Sequence, residues 1–342
     1  MKGAGRFEVV CVGETMAMVT PVEPVPLETA ELFKICAGGA ESNVAMYMAS
    51  LGHWVCWVGR LGDDPLGRRV LKDVSHTGVD ASLVELDPTA PTGAYFKDPG
   101  PRGTRVFYYR RESAGSRMTL AQLAPILREP PPLVHLTGIT PALSPACDKA
   151  VGELMVKLQS ATSAVSFDVN LRAGLWSPTV AAPRLEALAQ QADVVFVGLD
   201  EAATLWRTGT PESVRSLIDR PSILVVNNGE QGATAFHERG SDFVPALKLE
   251  VCEAVGAGDA FAAGWLSGWL QNLPHKKRLR LGHLLASLAL GSTADHRALP
   301  SRPELQSALS LSDNEWAGLK LTARPESPAP QERPFPPELE ER

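Results

Sequence analysis

Short apolar, β-branched runs recur along this chain, and helix-forming stretches separate them. The runs at 7–13, 54–59, 134–139, 164–169, 192–197 and 223–227 are each too short for a helix. They are apolar almost throughout, as strands buried on both faces must be. Helical candidates lie between them at 42–51 (closed by Gly52), 147–160, 182–192 and 259–270. This alternation predicts right-handed βαβ units, hence an α/β fold with a mostly parallel central sheet flanked by helices on both faces. With 342 residues and 44% hydrophobic content there is enough apolar material for one large domain, expected over 1–320. Two stretches depart from the alternation. Residues 14–37 and 92–111 read as extended, and Arg105-Val106-Phe107-Tyr108-Tyr109-Arg110 is strongly β-prone. They suit a small subsidiary sheet acting as a lid. The segment 321–342 is rich in Pro, Glu and Arg, lacks the apolar content to pack, and is expected to be disordered.

Charge and cysteine usage exclude several classes. The net charge is −6, with no basic stripe to offset it, so nucleic acid is not an expected partner. The run from His275 to Arg280 reads as the solvated start of a helix. Five scattered cysteines without a C-x-x-C pair point to reduced thiols and a cytoplasmic protein, with Cys11 and Cys56 as small core residues. The apolar run at 9–12 is too short for a membrane span or a secretory signal, so no membrane partner is expected. His53, His76, His135, His237 and His283 show no ligand spacing, which argues against a metal cage built from protein alone.

The segment Gly256-Ala257-Gly258-Asp259, followed by Ala260, Ala262, Ala263 and Gly264, carries the chemistry. A helix start leaves unpaired N–H groups and a positive partial charge, which together attract anions. Glycines let that backbone approach a phosphate closely. An acid there can serve as a mere cap, or can take a proton from a hydroxyl while the N–H groups hold phosphoryl oxygens. Earlier in the chain, Gly38-Gly39-Ala40-Glu41-Ser42-Asn43 combines a tight turn with a side chain that both donates and accepts. Asp63 and Asp64 read as turn residues.

Together these two segments resemble the hallmarks of the ribokinase-like (PfkB) sugar kinases, and the resemblance runs over about residues 7–310. It implies a ribokinase-like fold in which Asp259 is the catalytic base and Gly256, Ala257 and Gly258 form an anion hole. It implies that Gly38, Gly39 and Asn43 bind the sugar, and that ATP and Mg2+ are used. Val225-Val226-Asn227-Asn228-Gly229 with Gly232 resembles the loop beside the nucleotide, so Asn227, Gly229, Gly232, Gly256, Gly258 and Asn170 are its implied contacts. Many relatives carry Lys where Asn227 stands. Gly198-Leu199-Asp200-Glu201 resembles the N-x-x-E motif with Gly replacing Asn, and it implies that Glu201 meets magnesium through water. Glu253 stands where relatives usually have Asp, in a loop associated with a monovalent cation such as K+.

Three segments resemble 2-keto-3-deoxygluconate kinases more narrowly. They are Asp168 to Ser177, Arg105 to Arg110 with Ser113 to Ser116, and Leu136 to Pro145. Such a substrate carries a carboxylate, and arginine holds one through paired N–H bonds. On an extended strand Tyr108 and Arg110 share one face and Arg105, Phe107, Tyr109 and Arg111 the other, and the sequence does not decide which points inward. Tyr108 and Arg110, with Tyr95 nearby, are the candidate clamp for the acid, and Arg172 is the other candidate cation. The expected activity is ATP-dependent phosphorylation of that sugar acid at the 6-hydroxyl, by a homo-oligomer. A kinase for a neutral ketose or ribose, and a non-catalytic protein that binds nucleotide or sugar acid, remain the alternatives.

Overall fold

The computed structural model describes residues 6–100, 103–248, 255–291 and 296–319. The segment 321–342 and Glu253 lie outside the described residues. Eight strands form the main sheet, in the spatial order Gly240–Val244, Gly232–His237, Ile223–Asn228, Val194–Gly198, Ala164–Asp168, Leu133–Thr137, Val9–Val12 and Val55–Val58. The six strands from Ile223–Asn228 to Val55–Val58 run parallel, as the alternating pattern predicts. The first two are an antiparallel extension that the apolar runs did not reveal. Their sequences contain His237, Ser241 and Asp242, because an edge of the sheet needs less apolar surface.

Within the parallel strands the side chains alternate between two cores. Val9, Cys11, Val55, Trp57, Val194, Phe196 and Val225 face one core, which the helices Ala40–Ser50, Ala257–Leu270 and His275–Leu290 close. Val10, Val12, Cys56, Val58, Val195, Val197 and Val226 face the other, closed in part by Pro145–Leu158 and Pro178–Ala189. A period of two explains why a continuous apolar run is required. The helices Ala257–Leu270 and His275–Leu290 touch almost backbone to backbone: a Cβ on Gly264 would lie 2.6 Å from the Leu281 carbonyl oxygen. The His275–Leu290 helix starts where the basic run predicted, but its last basic residue is not solvated. Arg280 is buried, donates to Asp313 at 2.7 Å and lies 5.1 Å from the Trp316 ring centroid. The partner acid and ring arrive from the Asp313–Gly318 helix, so local charge alone could not reveal the burial.

The two extended stretches form a separate four-stranded sheet, ordered Phe33–Gly38, Met16–Pro21, Ala94–Asp98 and Arg105–Tyr109. Tyr95 lies opposite Tyr108 and Phe96 opposite Phe107, so the two faces of this lid differ. Tyr95, Met16 and Met18 pack on one face. Phe96 and Tyr109 meet edge to face on the other, with ring centroids 5.4 Å apart. Asp64, read as a turn residue, caps the Pro65–Ser75 helix by accepting from Gly67 N–H at 2.7 Å.

Candidate active site

Gly256 has φ 84°, a left-handed turn that favours glycine, and the Ala257–Leu270 helix begins directly behind it. Asp259 therefore sits inside the first turn rather than at the N-cap position. Its Oδ2 accepts a 2.8 Å hydrogen bond from Asn43 Nδ2, across 216 residues of sequence. Both side chains are buried, and Asn43 belongs to the Ala40–Ser50 helix, which follows Gly39. The two glycine-turn segments thus meet at a single carboxylate. A Cβ on Gly258 would meet nothing within 4 Å, so the space beside its Cα is open.

Beneath Asn43 lies an acid whose role the sequence did not disclose. Glu41 is fully buried, and its Oε1 accepts from the Thr137 and Thr140 hydroxyls at 2.7 and 2.8 Å. Its Oε2 has no partner among the described residues. Burial pushes its carboxyl above the ordinary range, and the two threonine bonds oppose that shift. Thr137 and Thr140, from the Leu136-to-Pro145 segment, thus anchor the start of the Ala40–Ser50 helix.

A second group of acids gathers at the ends of the parallel strands. Asp168 closes the Ala164–Asp168 strand and accepts from Asn170 Nδ2 at 3.0 Å; Asn170 itself has φ 42°. Burial, then the charges of Glu201 and Asp259, hold the Asp168 carboxyl well above the usual range, against Arg172 and Asn170. Glu201 is tied by both oxygens, accepting from Leu171 N–H at 2.8 Å and Gly198 N–H at 3.0 Å. Burial raises its pKa, and its bonds to Gly198 and the charge of Arg172 oppose this. Arg172 is half-buried beside these acids and donates to the Leu171 carbonyl at 3.1 Å. Among the described residues no group of three or more His, Cys, Asp or Glu side chains could hold a metal ion by itself.

Further along the sheet, Asn227 pairs with Gly198 one residue before the Ile223–Asn228 strand ends, and Gly229 and Gly232 bound the turn that follows. Gly232 has φ 136°, and a Cβ there would collide with the Val244 carbonyl. The turn thus depends on that glycine.

The four-stranded sheet presents its Tyr108 and Arg110 face towards the Gly38-Gly39 turn. The Tyr95 hydroxyl occupies the space that a Cβ on Gly38 would need, and its ring lies 5.6 Å from that of Tyr108. Arg110 lies with its guanidinium carbon 5.6 Å from the Tyr108 ring centroid. Arg110 is also buried, and its Nε donates to Glu14 Oε2 at 2.7 Å while Nη2 pairs with the same oxygen. The structure thus brings Tyr95, Tyr108 and Arg110 together, and the cation among them already has an acid partner, Glu14, for which the sequence carried little signal. The one signal for it was an acid directly after the Gly13 that ends an apolar strand.

Residues 6–302 match the profile of the pfkB family carbohydrate kinases. The chain is 33% identical over 310 residues to the 2-dehydro-3-deoxygluconokinase of Thermoproteus tenax, covering 89% of this chain and 94% of that protein. It is 34% identical over 287 residues to the 2-dehydro-3-deoxygalactonokinase of Haloferax volcanii, covering 82% and 90%. Among solved structures, a PfkB protein from Polaromonas sp. JS666 superposes with a TM-score of 0.79 at 35% identity, covering 88% of this chain and 99% of that one. With the Asn43–Asp259 contact joining the two segments that first suggested it, this chain belongs to the pfkB family of carbohydrate kinases.

Proposed function

We propose that this kinase transfers the γ-phosphoryl group of ATP to the 6-hydroxyl of 2-keto-3-deoxygluconate, giving 2-keto-3-deoxy-6-phosphogluconate and ADP. The observation that carries the reading is the Asn43–Asp259 hydrogen bond, which joins a sugar-binding turn to an anion-binding helix start at one acid. Names of relatives that act on this sugar acid and its galactonate counterpart support the substrate class.

In the proposed reaction Asp259 accepts the proton of the 6-hydroxyl as the O6–P bond forms and the bond to the β-phosphate oxygen breaks. Asn43 fixes the carboxylate through Nδ2, and its buried Oδ1, without a partner among the described residues, is available to a sugar hydroxyl. The N–H groups of Gly256, Ala257 and Gly258 hold the phosphoryl oxygens, as a helix start favours. Asn227, Gly229 and Gly232 line the nucleotide. Tyr95, Tyr108 and Arg110 hold the acid end beside Gly38 and Gly39, and Arg172 balances the acids below. Hard oxygen donors suit Mg2+, and Asp168, Glu201 and the unpartnered Asn170 Oδ1 supply them. We assign its contacts to these residues, with water between Glu201 and the ion; when bound, it supplies positive charge against the ATP phosphates. The proposed monovalent-cation site would involve the loop of Glu253, outside the described residues. Cys11, Cys56 and Cys147 form no disulfide among the described residues, which supports a cytoplasmic location; no described helix is long and apolar enough to cross a membrane.

A second reading, a kinase for a neutral ketose, draws on Glu14, which neutralises Arg110. Coupled ADP release with 2-keto-3-deoxygluconate, its galactonate epimer, fructose and ribose separates the two. The sugar acids should give the highest kcat/KM, and a preference for fructose or ribose would overturn the assignment. In the same assay Asp259→Asn should lower kcat by about a hundredfold or more while leaving sugar binding largely intact. Near-normal turnover would remove Asp259 from the base role, and absence of ADP release by the unaltered protein with every sugar would favour a binding protein.

A further inference from the structure

Glu14 lies between the Val9–Val12 strand of the main sheet and the Met16–Pro21 strand of the lid, where the chain passes from one sheet to the other. It is buried, and three glycines from separate segments make room for it. A Cβ on Gly115 would collide with its side chain, one on Gly39 would collide with its carbonyl, and one on Gly93 would lie 3.1 Å from Oε1. Each carboxylate oxygen has a different task. Oε1 accepts from the Ser113 hydroxyl, while Oε2 takes the Nε and Nη2 edge of Arg110. Nη1 of Arg110 donates to no protein acceptor among the described residues. A guanidinium is planar, so fixing one edge fixes the direction of the other.

We infer that Glu14 is a positioning residue for substrate selection: it locks Arg110 so that the Nη1 edge, over Tyr108 and beside Tyr95, receives the carboxylate of the sugar acid. The inference rests on the sugar-acid reading above. The buried Glu14–Arg110 pair carries no net charge, so the acid is selected by hydrogen-bond geometry at a pre-set edge rather than by a bare positive pocket. Ser113 holds the carboxylate from the other side, which stops it from rotating with the arginine. Without Glu14 the guanidinium keeps its charge but loses its fixed direction.

Steady-state kinetics of Glu14→Gln test this, with 2-keto-3-deoxygluconate and fructose as paired substrates and thermal unfolding as a control. KM for the acid should rise about ten- to a hundredfold, the range of a misplaced charge-assisted hydrogen bond, while kcat changes far less. KM for fructose should stay within about threefold. Should Glu14→Gln unfold, the pair Glu14→Asp and Ser113→Ala serves instead. Each keeps a carboxylate near Arg110 while loosening its aim, and each should raise the acid KM selectively. In an Arg110→Ala background, Glu14→Gln should add little further loss, because the two act as a unit. A folded variant with an unchanged acid KM, equal losses for both sugars, or full additivity with Arg110→Ala would overturn the inference alone. An unaltered protein that does not turn over the acid would overturn the functional reading and this inference with it.

Discussion

Glu41 shows how a single buried acid can shape a site without touching substrate. Its carboxyl ties the start of the Ala40–Ser50 helix to Thr137 and Thr140, and so helps to set where Asn43 meets Asp259. Because burial raises its pKa, the fold favours the protonated form. The stability this contributes is fully present below the ordinary value of 4.5 and is lost as pH rises through the raised folded value. Glu41→Gln keeps a neutral group of the same shape at every pH. Urea unfolding should therefore find the variant equal to the parent near pH 4 and more stable than it at pH 8. Glu41→Ala, which strands two buried hydroxyls and opens a cavity, should cost about 2–4 kcal/mol at both. A glutamine variant equally destabilised at pH 4 and pH 8 would exclude the protonated state. At this scale the sequence was uneven. Asp259 and Asn43 were legible because glycine turns flank them and mark a backbone arranged for close approach. Glu41 and Glu14 were not, since a carboxylate declares its burial only through partners distant in sequence, such as Thr137 and Arg110. Arg110 was legible as a lid cation, but not as one half of an ion pair.

The elements that position Asp259 owe their closeness to small residues. Ala257–Leu270 is apolar on every side because it packs on the sheet, on Ala40–Ser50 and on His275–Leu290 at once. Gly264 faces the Leu281 carbonyl, and Gly282 faces the Phe261 ring, where a Cβ would lie 2.9 Å away. Backbone cannot retreat as a flexible side chain can, so any Cβ at 264 forces the two helices apart. Gly264→Val should destabilise the protein by about 1–3 kcal/mol or more, read from denaturant midpoints. It should also lower kcat, since the shift is transmitted along the helix to Asp259, two turns or less away. A folded Gly264→Val protein with unaltered kcat would show that the helix start is anchored by the glycine turn alone. The parallel strands and their helices were readable because continuous apolar runs and 3.6-residue patterns are local signals. The antiparallel strands Gly232–His237 and Gly240–Val244 were not, because their polar residues at the sheet edge break the run. Arg280 escaped for a related reason: its burial depends on Asp313 and Trp316, contributed by a later helix.

For the whole molecule, the lid has two faces with opposite characters. The inner face buries Tyr95, against the Gly38-Gly39 turn, and Arg110. The outer face leaves Phe107 42% and Tyr109 67% exposed, beside a groove of about 960 Å³ lined in part by Pro26, Leu27, Phe96 and Arg105. Leu32, 71% exposed, lies in the same sheet's connecting segment, just before the Phe33–Gly38 strand. Aromatic side chains with this much apolar surface in water favour an association that covers them. A second copy of the chain is the occupant proposed here, in keeping with the homo-oligomer expected from the sequence. Light scattering of the unaltered protein should then report a mass above that of one 36.6 kDa chain. Replacing both aromatics, Phe107→Glu with Tyr109→Glu, should shift that mass to the monomer, because two buried carboxylates at an interface centre cost more than the aromatic burial they replace. The inner face is untouched by these changes, since side chains alternate along the strand. A monomeric double variant should therefore still bind the sugar acid, with any loss falling on lid closure. If the unaltered protein is already monomeric at micromolar concentration, the outer face has another use. The small sheet would then rest on contacts within its own chain, among them the Glu14–Arg110 pair and the 3.0 Å bond from Arg69 to the Ile35 carbonyl.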